Sequence, residues 1–177
     1  MKITIGGLAG SGTSTVAKIL SRKLKIKHID AGNIWDEVAS EKKTDVSGLS
    51  KIAELDDSID KELDKRMVNY AKNRENMILE GRLIGALCYK ENIDAFKIWL
   101  DASFKTRIER VNRREKKDIN KVQNETKRRD QSDIERYSKY YHIDILDKSF
   151  YDLVISSEKL SPEEISELIL NKINSKH

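Results

Sequence analysis

Along the chain, short unbroken apolar runs alternate with longer stretches in which apolar residues recur every three or four positions. The runs are Ile3–Ile5, Met77–Leu79, Phe96–Leu100 and Leu153–Ile155, with a weaker one at Lys27–Asp30. A short run without polar alternation is the pattern of a strand covered on both faces. The stretches between them have helical periodicity. Val16 to Leu24 is amphipathic, and Asp57–Tyr70 puts Ile59, Leu63, Met67 and Tyr70 on one stripe. A final helix is marked by Ser161 at the N-cap, Pro162 in the first turn and Glu164 closing a capping box. Its Ile165, Leu168, Ile169 and Ile173 share a face. Strands separated by helices predict an α/β fold of three layers, with a central five-stranded parallel sheet between helices.

Two segments, about 33–73 and 113–141, are too polar to be ordinary sheet-covering helices. In α/β folds, ligands sit beyond the carboxyl ends of the strands. Polar helical insertions there read as flaps over a substrate. The expected organisation is one domain, 1–177, with a core of 1–32, 75–114 and 142–177, a substrate-binding insert at 33–74 and a lid at 115–141.

Composition narrows the function classes. A chain of 177 residues is long enough for one domain with a real core. Charged residues make up 36%, yet the net charge is only +4 because acids and bases interleave. That balance suits an acidic small molecule and does not call for nucleic acid. No run is long enough to span a membrane, and the N-terminus lacks a signal-peptide profile. The single cysteine, Cys88, excludes an internal disulfide and reads as a buried small hydrophobe. Together these predict a cytoplasmic monomer with no membrane or nucleic-acid partner. His28, His142 and His177 are scattered, so no structural zinc site is expected.

The chemistry concentrates after the first strand. Gly7-Leu8-Ala9-Gly10-Ser11-Gly12-Thr13-Ser14-Thr15 fits a glycine-rich phosphate loop between strand and helix, with Thr13 where lysine usually stands. The glycines let backbone N–H groups converge on one anion, and the following helix adds its positive end. A nucleoside triphosphate is the expected ligand. Strand three closes on Glu80-Gly81-Arg82. The acid can hold Mg²⁺ or its water, with a loop hydroxyl from Ser14 or Thr15; which of the two is open. Gly81 allows close approach of a ligand, and Arg82 can grip a phosphate. In the helix that follows Lys127, Arg129, Asp133 and Arg136 fall within roughly 60° of arc. Asp133 can therefore hold both arginines over the transferring phosphate. Arg66 shares the stripe of Ile59, where it would meet an anionic ligand, an internal acid or solvent.

These motifs together resemble the nucleoside monophosphate kinases, and more narrowly the archaeal type of cytidylate kinase, over about residues 1 to 156. That family's loop carries Gly-Ser-Gly-Thr, as at Gly10–Thr13 here. Asp30-Ala31-Gly32-Asn33-Ile34 is similar to the segment that opens the monophosphate site, and Asp56–Arg66 to a distinctive acidic helix. Leu79-Glu80-Gly81-Arg82 resembles the family's acid-Gly-Arg step at the acceptor nucleotide. Arg107 is similar to an arginine that stacks on the donor adenine, and Arg129-Asp130 with Asp133 and Arg136 to the lid helix. The resemblance implies ATP-dependent phosphorylation of CMP and dCMP with Mg²⁺. By it, Arg82, Arg129 and Arg136 are catalytic. Asp30, Gly32, Arg66, Gly81 and Asp133 join them around the acceptor. Asp36 stands where many of these kinases carry an arginine for the acceptor phosphate, which shifts that role to Arg66, Arg82 and the lid. Open alternatives are a kinase for AMP or UMP, a non-catalytic nucleotide sensor and an RNA-associated factor. The basic patches at Arg113–Lys117 and Lys127–Arg129 lack an aromatic stacking platform, which weighs against RNA.

Overall fold

The computed structural model describes residues 1–44, 48–49, 52, 56 and 58–175. Asp57, where the sequence starts the helix that runs to Tyr70, and His177 lie outside the described residues. The elements are β1 (Lys2–Gly6), α1 (Thr13–Leu24), β2 (Lys27–Asp30), α2 (Ala31–Glu41), α3 (Ser58–Asn73), β3 (Met77–Glu80), α4 (Ile84–Lys90), β4 (Phe96–Asp101), α5 (Phe104–Glu115), α6 (Ile119–Tyr141), β5 (Leu153–Ser156) and α7 (Pro162–Asn174). A 3₁₀ turn at Lys148–Phe150 precedes β5.

All five strands are parallel, in the order β2-β3-β1-β4-β5. The apolar runs become these strands because helices cover both faces, leaving Ile3, Ile5, Ile78, Leu79, Ile98 and Leu100 fully buried. Burying one such side chain stabilises by about 1.5–3 kcal/mol. The central strand β1 is therefore firmly seated, and so is the loop that leaves its carboxyl end. On one face α1 and α7 pack with Val16, Leu20, Ile165 and Ile169. Toward β2 and β3, α2 and α3 close a second cluster through Ile34, Val38, Ile59 and Leu63. A third cluster joins α4 and the end of α6 through Leu83, Leu87, Tyr137 and Ile143.

The last helix has the expected capping box, with Ser161 accepting from the Glu164 amide at 3.2 Å. Its buried face is Ile165, Ser166, Ile169 and Ile173, whereas Leu168 is 48% exposed. At roughly 100° per residue, Leu168 falls about 60° outside the arc that starts at Ile165. The α3 stripe buries Ile59, Leu63, Met67 and Ala71. Tyr70 sits half-buried at its edge and donates its hydroxyl to Glu37 of α2 at 2.8 Å. Cys88 is buried, and burial pushes its thiol up to about 11, as suits a packing residue. Among the described residues, no helix is long and apolar enough to cross a membrane.

Candidate active site

A cleft of about 640 Å³ opens at the carboxyl ends of β1, β2 and β3. The phosphate loop forms its floor. A Cβ on Gly7 would stand 2.3 Å from Ser11 Oγ and 2.6 Å from the Leu100 carbonyl oxygen, so only glycine fits. Gly10 and Gly12 hold φ at 86° and 98°, a region that glycine enters without penalty. Gly12 is the N-cap of α1 and has no side chain to cap it. The first-turn amides of α1 are thus left for an anion. Beneath the loop, Ser157 Oγ donates to the Ser11 carbonyl at 2.9 Å, and Arg110 clamps Ser157 Oγ at 2.9 Å.

Gly7, Leu8, Ala9, Gly10, Thr13 and Ser14 line the cleft. Ser11 and Gly12 shape the turn from behind. Thr15 is exposed and does not line the cleft, so Ser14 is the hydroxyl placed beside Glu80. Register sets this up: Glu80 pairs with Asp30 on one side and Ile5 on the other. Thr13 Oγ1 donates to Glu80 Oε1 at 2.8 Å and Ser14 Oγ to the same oxygen at 2.5 Å. His28 Nε2 lies 3.0 Å from Oε2. Burial works against the charge of Glu80, but the hydrogen bonds from His28, Ser14 and Thr13 outweigh it and hold the carboxyl below its usual range. Ser14 and Glu80 supply hard oxygen donors of the kind Mg²⁺ prefers, so the residues present fit that ion.

His28 had no role in the sequence reading. It sits two residues before Asp30 on β2, hence on the same face, and its reach to Glu80 follows once β2 is known to flank β3. Asp30 caps α2, accepting from the Asn33 amide at 2.9 Å, and lines the cleft with Gly32 and Gly81. Asp36 is exposed and lies off the cleft lining.

Four arginines line the cleft: Arg82, Arg114, Arg129 and Arg136. Asp133 is only 3% exposed and does hold two arginines, but the partners differ from the expected pair. Arg136 donates to its Oδ1 at 2.9 Å, and the second partner is Arg82, arriving from the end of β3. Arg129 is exposed and makes no hydrogen bond or ion pair with a described residue. Helical spacing alone cannot report a partner from another element. Arg136 also pairs with Asp60 of α3. Arg114, seen in the sequence only as part of a basic patch, stands at the rim, 65% exposed in its side chain.

Two residues depart from expectation. Arg66 forks onto Glu41 of α2, at 2.8 and 2.5 Å, and onto Glu62 at 2.6 Å, outside the cleft. Taking Ile59 as zero, Arg66 lies at roughly −20° while Asp60 and Asp64 lie at roughly 100° and 140°. The cleft faces the acidic edge of the stripe, so Arg66 turns to α2. Arg107 is 4% exposed, donating to the Ala9 carbonyl at 3.0 Å and pairing with Asp130 at 2.7 Å. It ties the loop to α6 and presents no open face to a donor base. The sequence also left unassigned Trp35, Asp60, Asp64 and Tyr137, all of which line the cleft.

Residues 2–159 match the family model described as the cytidylate kinase-like family. The chain is 41% identical over 174 residues to a cytidylate kinase of Natronomonas pharaonis, covering 98% of this chain and 90% of the relative. It is 42% identical over 173 residues to a cytidylate kinase of Methanobrevibacter smithii, covering 98% of each. Among solved structures, shikimate kinase of Aquifex aeolicus superposes with a TM-score of 0.62 at 20% identity, over 99% of this chain and 98% of that one. That likeness shows the fold. Given its loop, its parallel sheet and these full-length relatives, the chain belongs to the cytidylate kinase-like family.

Proposed function

We propose that this protein transfers the γ-phosphoryl group of ATP to CMP, and to dCMP, giving ADP and the nucleoside diphosphate. The observation that carries this reading is the meeting in one cleft of the uncapped loop amides, the Ser14–Glu80 pair and four arginines. Cytidylate kinases are the relatives it matches along nearly its whole length.

The loop amides bind the donor phosphates. Ser14 and Glu80 would hold Mg²⁺, which would supply positive charge to the donor phosphates. Arg82 and Arg136 reach the acceptor phosphate and the group in flight; a phosphate oxygen takes the place of an oxygen of Asp133 or Asp60. Arg129, free of carboxylate partners, closes over the γ-phosphate. The acceptor phosphate oxygen is already an anion, so no general base is required. The segments 33–74 and 115–141 act as monophosphate insert and lid. The same reading takes the protein as a cytoplasmic monomer acting on free nucleotides.

ADP formation from ATP with CMP, dCMP, UMP or AMP tests the proposal. CMP is expected to be the best acceptor, dCMP next and AMP poor. Faster turnover of AMP than of CMP would overturn the acceptor assignment.

A further inference from the structure

Ile78 of β3 packs in one cluster with Val16 and Leu20 of α1, and Glu80, two residues on, shares its face of the sheet. That places the Glu80 carboxylate beside the first turn of α1, where Thr13 and Ser14 both donate to Oε1. The other oxygen, Oε2, is met from β2 by His28 Nε2 at 3.0 Å. The parallel register sets His28 opposite Ile78 and Asp30 opposite Glu80, and the imidazole spans that offset of two residues. Both side chains are nearly buried, 11% exposed for His28 and 10% for Glu80. An ionised carboxylate can only accept, so a neutral ring in this contact carries its proton on Nε2.

The last torsion of a glutamate is soft, with broad two-fold wells. Thr13 and Ser14 bond a single oxygen, which leaves the carboxyl plane free to swing about that contact. His28 bonds the second oxygen and closes the swing. It does not line the cleft, so any effect it has on a ligand passes through Glu80.

We propose that His28 is the positioning residue of the cation site: its Nε2–H fixes the plane of the Glu80 carboxylate, so that Oε1 stays beside Ser14 for a divalent ion. This rests on the reading that Ser14 and Glu80 hold Mg²⁺. A polar partner behind a metal-binding side chain is worth about 10–100-fold in metal affinity, because it selects the one orientation that binds. The backbone of β2 carries the sheet whichever side chain stands at position 28, so the contribution of His28 is read in the metal and not in the fold.

The test measures, by calorimetry, the Kd of the β,γ-imido analogue of ATP in Mg²⁺ and again in EDTA. The ratio of the two is the gain that the cation gives to nucleotide binding. Wild-type protein is expected to show a clear gain, and Glu80→Gln to lose it. His28→Leu, which removes the N–H, is expected to bind about tenfold more weakly in Mg²⁺ and within twofold of wild type in EDTA. His28→Gln returns an N–H to the same reach and is expected to recover most of the gain. A wild-type gain in His28→Leu, alongside its loss in Glu80→Gln, overturns the proposal and leaves the Mg²⁺ reading standing. An equal weakening in Mg²⁺ and EDTA overturns it too, since the damage is then to the loop as a whole. So does a His28→Gln protein that behaves like His28→Leu. A gain that survives in Glu80→Gln sinks the Mg²⁺ reading itself, and the proposal with it.

Discussion

Thr13 stands where a phosphate loop usually has lysine, and its hydroxyl donates to Glu80. A lysine side chain rooted there would meet the Glu80 carboxylate first. The pair would neutralise both charges and draw Glu80 away from Ser14. Thr13→Lys is therefore expected to give unchanged or lower kcat, with a higher Mg²⁺ concentration needed for half-maximal rate. A rise in kcat would contradict this account of Glu80. Loop residues such as Gly7 and Gly10 are legible in the sequence because steric demand allows no other residue. Arg66 and Arg107 are not legible in the same way. Their partners, Glu41 and Asp130, lie 25 and 23 residues away in sequence, and nothing in local spacing selects them over a ligand.

At the scale of elements, the contacts by which α3 and α6 meet across the cleft include, among the described residues, Asp60 with Arg136, Asp64 with Tyr141, and Lys61 over the Tyr140 ring at 4.2 Å. Each helix was readable from its own periodicity, and the polar excess marked both as unusual. Their mutual contact was not readable, since it depends on where the sheet directs each chain. The contact has a pH signature. Asp64 faces Tyr137, Tyr141 and Arg136 on α6 and Asp60 on its own helix, and its carboxyl is raised from 3.8 to about 6 by burial first. The folded state then holds more protons than the unfolded state between roughly pH 4 and 6, so this group's share of stability falls as pH rises through that window. Asp64→Asn removes the dependence. Relative to wild type, the variant is expected to gain on the order of 2–3 kcal/mol between pH 4 and pH 7. Denaturant unfolding of both proteins at several pH values checks it; a constant difference between them would refute the buried, weakly compensated carboxyl.

The whole molecule divides into a sheet that the apolar runs specify and a charged superstructure that they do not. Five strands and their parallel order position Glu80, Asp30 and the loop at one edge. Above that edge, stability and ligand binding draw on the same arginines. Asp133, 3% exposed, holds Arg82 and Arg136 together, one from the core and one from α6. Removing its charge leaves two neighbouring cations facing each other in a partly desolvated space. Breaking a buried pair in this way costs about 3–5 kcal/mol, the lower end applying here because both guanidinium groups keep some solvent. For a chain of this size that is a fall in Tm of roughly 6–12 °C. Nucleotide phosphates bring anionic oxygens to the same two arginines. Bound CMP and ATP should therefore restore part of what Asp133→Asn loses, since a ligand that binds only the folded state stabilises it by its binding free energy. The expected result is a lower Tm for ligand-free Asp133→Asn and a larger ligand-induced rise than in wild type. If nucleotides raise Tm equally in both, or less in the variant, Arg82 and Arg136 do not exchange Asp133 for phosphate, and their place in the proposed transfer step falls with that result.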